Sequence, residues 1–170
     1  MQIKLLIYIF LVIGILYFVQ SKYNLFEIRF DSKEESNQQE EEIEGVEILN
    51  EDGRAIYVEV EIADTPELRR VGLSGRSTLG DYQGMLFVME SEDLHSFWMK
   101  DMEIPLDLLF INSSGYIVYI SKDQSPCTEI CESIKSPYEA KYILEVKGGF
   151  VEDNRVRVGN EVKINISSES

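Results

Sequence analysis

Basic residues are scarce in this sequence. Its 170 residues hold 16 Lys and Arg against 31 Asp and Glu, for a net charge of −15 and a pI near 4.4. That balance argues against a protein that neutralises phosphates along nucleic acid. It also argues against docking on anionic lipid through a basic patch. Cysteine is scarce too. Two cysteines exclude a disulfide-dense scaffold, and with one histidine, His95, they argue against a four-ligand structural zinc site. No internal repeat and no Gly-rich phosphate loop occurs, so neither a metal nor a cofactor is expected. What is present fits a globular chain: 44% hydrophobic and 28% charged residues, in a length that suits one domain of ordinary size.

Leu5 to Val19 is apolar throughout, and Ile3 extends the run with only Lys4 between. Seventeen helical positions at ~1.5 Å each give roughly 25 Å, slightly short of the ~30 Å hydrocarbon layer but within the range for a span. Lys4 on one side and Gln20-Ser21-Lys22 on the other flank the run, so residues 1–22 read as an N-terminal membrane anchor. Two alternatives stand beside it. One is a cleaved signal with Val19 and Ser21 at the −3 and −1 positions; the other is a buried core helix. No cysteine follows the run, which excludes lipoprotein processing. Anchor and signal both place the rest of the chain outside the cytoplasm, at the cell membrane or released from it. Asp31 to Glu44 carries seven acids and one lysine with almost nothing apolar. It cannot bury enough surface to offset the entropy of ordering, so 23–44 reads as an acidic flexible linker, with an exposed acidic helix as the alternative.

From residue 45 the pattern becomes that of short strands. Ile56, Val58, Val60 and Ile62 alternate with Tyr57, Glu59 and Glu61, the period of a half-buried strand. Asn50-Glu51-Asp52-Gly53 joins that strand to Val46–Leu49. Asp64-Thr65-Pro66-Glu67 is a helix start, with a capping side chain, a proline in the first turn and an acid at the positive end. Met85–Met89 and Pro105–Ile111 are apolar runs of strand length, and Asn112-Ser113-Ser114-Gly115 turns the second into Tyr116–Ile120. Lys122–Glu139 reads as a long loop, and Tyr142–Val146 and Glu161–Ile166 as further strands. The fold class expected is mainly β, a small barrel- or sandwich-like domain over 45–166 with one or two short helices, ending in a tail at 167–170.

Several blocks together resemble the DUF192 family (also called UPF0127), small domains without an established activity. They include Val58–Ala63, Gly72-Leu73 with Arg76, Gly84-Met85-Leu86-Phe87 and, above all, Phe97-Trp98-Met99-Lys100. The series continues through Ile104-Pro105-Leu106-Asp107, Phe110-Ile111, Gly115, Pro126-Cys127, Cys131, Ala140–Val146, Gly149 and Val158-Gly159. Asp101-Met102 stands where the family usually has Asn-Thr, and Ser74 where it usually has methionine. The resemblance implies a β-rich fold, often exported or membrane-tethered. It supplies no reaction.

Four residues are candidates for ligand binding: Trp98, Lys100, Asp107 and Arg76. If Phe97–Lys100 is extended, Phe97 and Met99 share one face while Trp98 and Lys100 share the other, beside a surface or groove. Trp98 would then stack on a ligand and Lys100 pair with an anion; the alternative is a second core face with a snorkelling lysine. Asp107 lies inside a run apolar on both faces, where an acid needs a partner. Lys100, Arg76 or backbone N–H groups could supply one, the lysine through a return at Asp101–Pro105. Cys127 and Cys131 are candidates for a disulfide in an oxidising compartment. A redox pair, or a soft-metal site with His95 or Met99, are the other readings. Asn112 and Asn165 each open a glycosylation sequon. The expected function is binding of a small ligand or an envelope partner by a membrane-tethered, extracytoplasmic domain. The alternatives are a hydrolase-type enzyme using Asp107, Lys100 and His95, and a structural accessory of an envelope complex.

Overall fold

The structure, a computed structural model, describes residues 7, 8, 10–15, 17, 18 and 45–166. The described positions between 7 and 18 are helical, with Ile7, Phe10, Leu11, Ile13, Ile15 and Phe18 exposed. Among the described residues no helix is long and apolar enough to cross a membrane. The remainder of the expected anchor, the 23–44 linker and the 167–170 tail lie outside the described residues.

Residues 45–166 are mainly β. Strands β1 (Gly45–Leu49) and β2 (Ala55–Ala63) form the expected hairpin. Asn50 shapes its turn: the buried side-chain oxygen accepts from the N–H groups of Asp52 and Arg54. Helix α1 (Pro66–Val71) follows, with Thr65 accepting from the Leu68 N–H at 3.2 Å as the N-cap. The chain then returns in β3 (Gln83–Asp93), parallel to β2. After the short β4 (Ser96–Phe97) come β5 (Leu106–Ile111), β6 (Ile117–Gln124) and β7 (Ile134–Lys135). Strand β8 (Ala140–Lys147), helix α2 (Phe150–Asp153) and β9 (Glu161–Asn165) complete the domain. The segment expected as one loop over 122–139 is shorter, because β6 runs on to Gln124 and β7 pairs with β4.

Seven strands share one sheet in the order β6-β5-β8-β3-β2-β1-β9. The sheet curls into a half-barrel whose edges touch at one corner. There Tyr116 bridges Glu161, and the Ile117 N–H donates to the Asn160 carbonyl at 3.1 Å. The enclosed face carries Val46, Val58, Leu86, Leu109, Leu144 and Val162, and α2 adds Phe150 and Val151. The opposite face of the central strands carries Met85, Phe87, Leu108, Phe110 and Ile143, covered by Leu73, Met99 and Met102. Both faces of β5 are therefore buried, as its run, apolar except for Asp107, implies.

Asp107 fastens this architecture. It sits at a bulge: Leu106 pairs with Gln124 and Leu108 with Ser121, so two residues stand opposite one. Asp123 takes a positive φ of 50° there and donates its N–H to Asp107 Oδ1 at 2.8 Å. Gly149, at φ 90°, turns the chain into α2 so that the Val151 N–H reaches Asp107 Oδ2 at 2.8 Å. A side chain at that φ would be strained, and glycine is not.

Candidate functional site

A cavity of about 440 Å³ lies on the outer face of the central strands. One wall is α1 and the turn behind it, with Arg69, Arg70, Gly72 and Leu73. The other is the His95–Trp98 segment with Met102; Phe87 and Met89 of β3 lie between, and Glu145 of β8 completes the lining. Phe97 packs edge-on against Phe87 and Phe110, with ring centroids 5.1 and 6.0 Å apart.

The walls are held by backbone bonds and one arginine. Arg69 donates to the Val88 carbonyl at 2.9 Å, to the Asp64 carbonyl, and to Glu90 at 3.0 Å, clamping α1 to β3. The opposite wall is tied down by β7 and by the loop that Cys127 and Cys131 close. The two cysteines are joined in a disulfide, with Cα atoms 5.6 Å apart. Cys127 donates its N–H to the Met99 carbonyl at 3.0 Å, and the Asp101 N–H donates to the Cys127 carbonyl at 3.1 Å. Asp101 takes a positive φ of 58° to make that turn.

The structure does not bring the four sequence candidates together. Trp98 lines the cavity and is 59% exposed. Lys100, like Trp98, is exposed, while Met99 is buried and Phe97 half-buried, so the expected alternation of burial holds. Lys100 bridges to Cys127. The expected return of Asp107 onto Lys100 does not form, because β5 pairs with β6 and β8 and not with the 96–100 segment. Asp107 is fully buried, and both its oxygens accept backbone N–H groups. Arg76 forms a two-pronged pair with Glu61 beside a separate, smaller cavity. That pairing raises its pKa further above the usual arginine range. His95 reaches the main cavity, half-buried, with Nε2 3.4 Å from the Ser91 carbonyl.

Glu145 is the residue that reasoning from the sequence passed over. It is 3% exposed, and its Oε2 is buried without a hydrogen-bond partner among the described residues. Desolvation raises its pKa to about 8. The signal was available: Glu145 lies between Leu144 and Val146 in an apolar run, as Asp107 does in its own. What differs is the surroundings. Asp107 meets N–H groups from a bulge and a helix start, whereas Glu145 points from mid-strand into the cavity lining.

The family model DUF192, described as "Uncharacterized ACR", matches residues 47–164. The chain belongs to the DUF192 family. Its matched span contains every cavity residue from Pro66 to Glu145. Two solved structures are similar to it. One, from Sinorhizobium meliloti 1021 and provisionally described as a transcription regulator, is 33% identical with a TM-score of 0.67. The match spans 71% of this chain and 92% of that one. The other is a protein of unknown function from Novosphingobium aromaticivorans DSM 12444, 27% identical with a TM-score of 0.66. It covers 70% of this chain and 83% of its own. No curated protein matches the chain.

Proposed function

We propose that this DUF192 domain binds a small ligand in the cavity between α1 and the His95–Trp98 segment, and does so outside the cytoplasm, tethered by its N-terminal segment. One observation carries the binding reading: a buried carboxyl oxygen of Glu145, without a partner, in the lining of a cavity of about 440 Å³. An unpaired buried acid destabilises the fold, so it is retained more readily where something outside the chain completes it. The volume falls within the range of ligand cavities, and Phe87, Phe97, Met89 and Met102 give it the apolar lining such sites have.

Tethering rests on the Leu5–Val19 run and the acidic spacer behind it. Extracytoplasmic placement has a further support in the Cys127–Cys131 disulfide, a bond that persists in oxidising compartments. The hydrolase reading has less behind it, since Asp107 is committed to two backbone N–H groups and lies outside the cavity that His95 lines. The transcription-regulator description of the Sinorhizobium protein is not carried over, because a net charge of −15 opposes phosphate contacts.

The test is ligand capture. The full chain is incubated with a metabolite extract, re-isolated, and its bound small molecules released and identified by mass spectrometry. A cavity-blocked variant, Ser96→Trp, is treated alongside. A molecule carried by the native chain and absent from the variant supports the proposal; identical profiles from both overturn it.

A further inference from the structure

The chemistry lining the cavity narrows what its occupant is. The Glu145 carboxyl lacks a counter-charge: no ion pair and no hydrogen bond to Oε2 forms among the described residues. Around it stand aromatic faces and thioethers, from Phe87, Phe97, Trp98, Met89 and Met102. Aromatic faces attract cations, most strongly where water is excluded. The domain from residue 45 onward carries a net charge of −11, a field that draws cations and repels anions.

The other charged or titratable groups lining the cavity are Arg69 and Arg70 from α1, Glu90 from β3, and His95 from the turn after it. Arg69 is neutralised by Glu90 at 3.0 Å and fixed by two backbone carbonyls. Arg70 is exposed, where solvent screens its charge. Glu145 is thus the group whose charge state a buried ligand would decide.

Building on the binding reading above, we propose that the occupant is an amphipathic organic cation, an amine or amidine on an aromatic or alkyl body. Its charged head pairs with the Glu145 carboxylate, and its body lies against Phe87, Phe97 and Trp98. At neutral pH the raised pKa of Glu145, about 8, keeps the empty site protonated. The arriving cation therefore displaces the carboxyl proton to solvent while keeping its own, and one proton is released per ligand bound. A ligand that needs the neutral acid as a donor, such as a carboxylate, would show the opposite pH dependence.

Trp98 is the single tryptophan and lines the cavity, so its fluorescence reports occupancy. The full chain is titrated with three probes of matched shape: phenethylammonium, phenylacetate and 2-phenylethanol. The expected result is saturation by phenethylammonium at least tenfold tighter than by either other probe. Its affinity should rise about tenfold from pH 6.5 to 7.5. Calorimetry in buffers of different ionisation enthalpy should detect close to one proton released at pH 6.5 and almost none at pH 9. Glu145→Gln and Glu145→Met should each lose the preference for the cation and its pH dependence, whereas Glu152→Gln, an exposed acid outside the cavity, should keep both. Two variants are used so that one poorly folded protein does not decide the matter. Saturation by phenylacetate or 2-phenylethanol alone overturns the cation assignment and leaves the cavity as a binding site. Equal cation binding by the Glu145 variants also overturns it. No saturation by any probe counts against both readings.

Discussion

Asp107 and Glu145 lie on adjacent antiparallel strands one position out of step. Asp107 pairs with Val146 and Glu145 with Leu108, so the two buried carboxyls emerge on opposite faces of the sheet. On the enclosed face, Asp107 accepts N–H groups from Asp123 and Val151, each at 2.8 Å. On the outer face, Glu145 leaves an oxygen without a partner in the lining of a cavity. One acid is used up in holding the fold, and the other is left available to a ligand.

Removing the first should unfold much of what it joins. Asp107→Ala orphans the buried Val151 N–H and the part-buried Asp123 N–H and is expected to cost about 3–5 kcal/mol. Asp107→Asn keeps one acceptor oxygen and should cost less, about 1–3 kcal/mol. Urea denaturation followed by Trp98 fluorescence measures both; a loss below about 1 kcal/mol for the alanine variant would contradict this role.

Removing the second should have the opposite sign. The Glu145 pKa is raised from 4.5 to about 8 in the folded chain. Between those values the native state holds a proton that the unfolded state has lost, so stability falls as pH rises through the window. Below pH 4.5 the penalty is absent, and above pH 8 it is complete, on the order of 5 kcal/mol. Glu145→Met should therefore melt higher than the native chain at pH 8.5, with the gap closing toward pH 4.5. Thermal melts of both proteins across that range check it, and a constant gap would refute the assignment.

The Cys127–Cys131 bond closes a small loop that supports the cavity wall through Met99 and Asp101. A loop this short should contribute about 2 kcal/mol by restricting the unfolded chain. Paired Cys127→Ser and Cys131→Ser replacements should lower stability by about that amount and loosen the Trp98 segment, read as faster amide exchange over 97–101. Mass spectrometry without reduction should recover the linked peptide from native protein; two free thiols would contradict the bond.

A topology reporter fused after Ser170 should report a position outside the cytoplasm, and the chain should fractionate with membranes. Deleting residues 1–22 should release it. A cytoplasmic signal from the reporter would overturn the tethering proposal.

The parts of the fold read correctly from sequence were those governed by local periodicity. The alternation Ile56-Val58-Val60-Ile62 specified β2, and Thr65-Pro66-Glu67 specified the start of α1. The exposure of Trp98 beside a buried Met99 followed from the two-residue period of an extended segment. The loop expected over 122–139 was read too broadly because β7 is two residues long, too short to carry a periodic signal.

The sequence by itself determined that the domain is mainly β, which family it belongs to, and that Asp107 needs a partner, because strand period, block spacing and the expense of burying a charge are all properties of the chain as written. Only the tertiary structure decided who that partner is. Strand order placed β5 between β6 and β8, so backbone N–H groups at a bulge and a helix start reached Asp107 before any lysine could. The same strand order set Glu145 on the outer face, in the cavity lining, where no group among the described residues hydrogen-bonds its Oε2. Which buried acid is satisfied depends on contacts between residues 16 to 44 positions apart, and no local pattern carries that information.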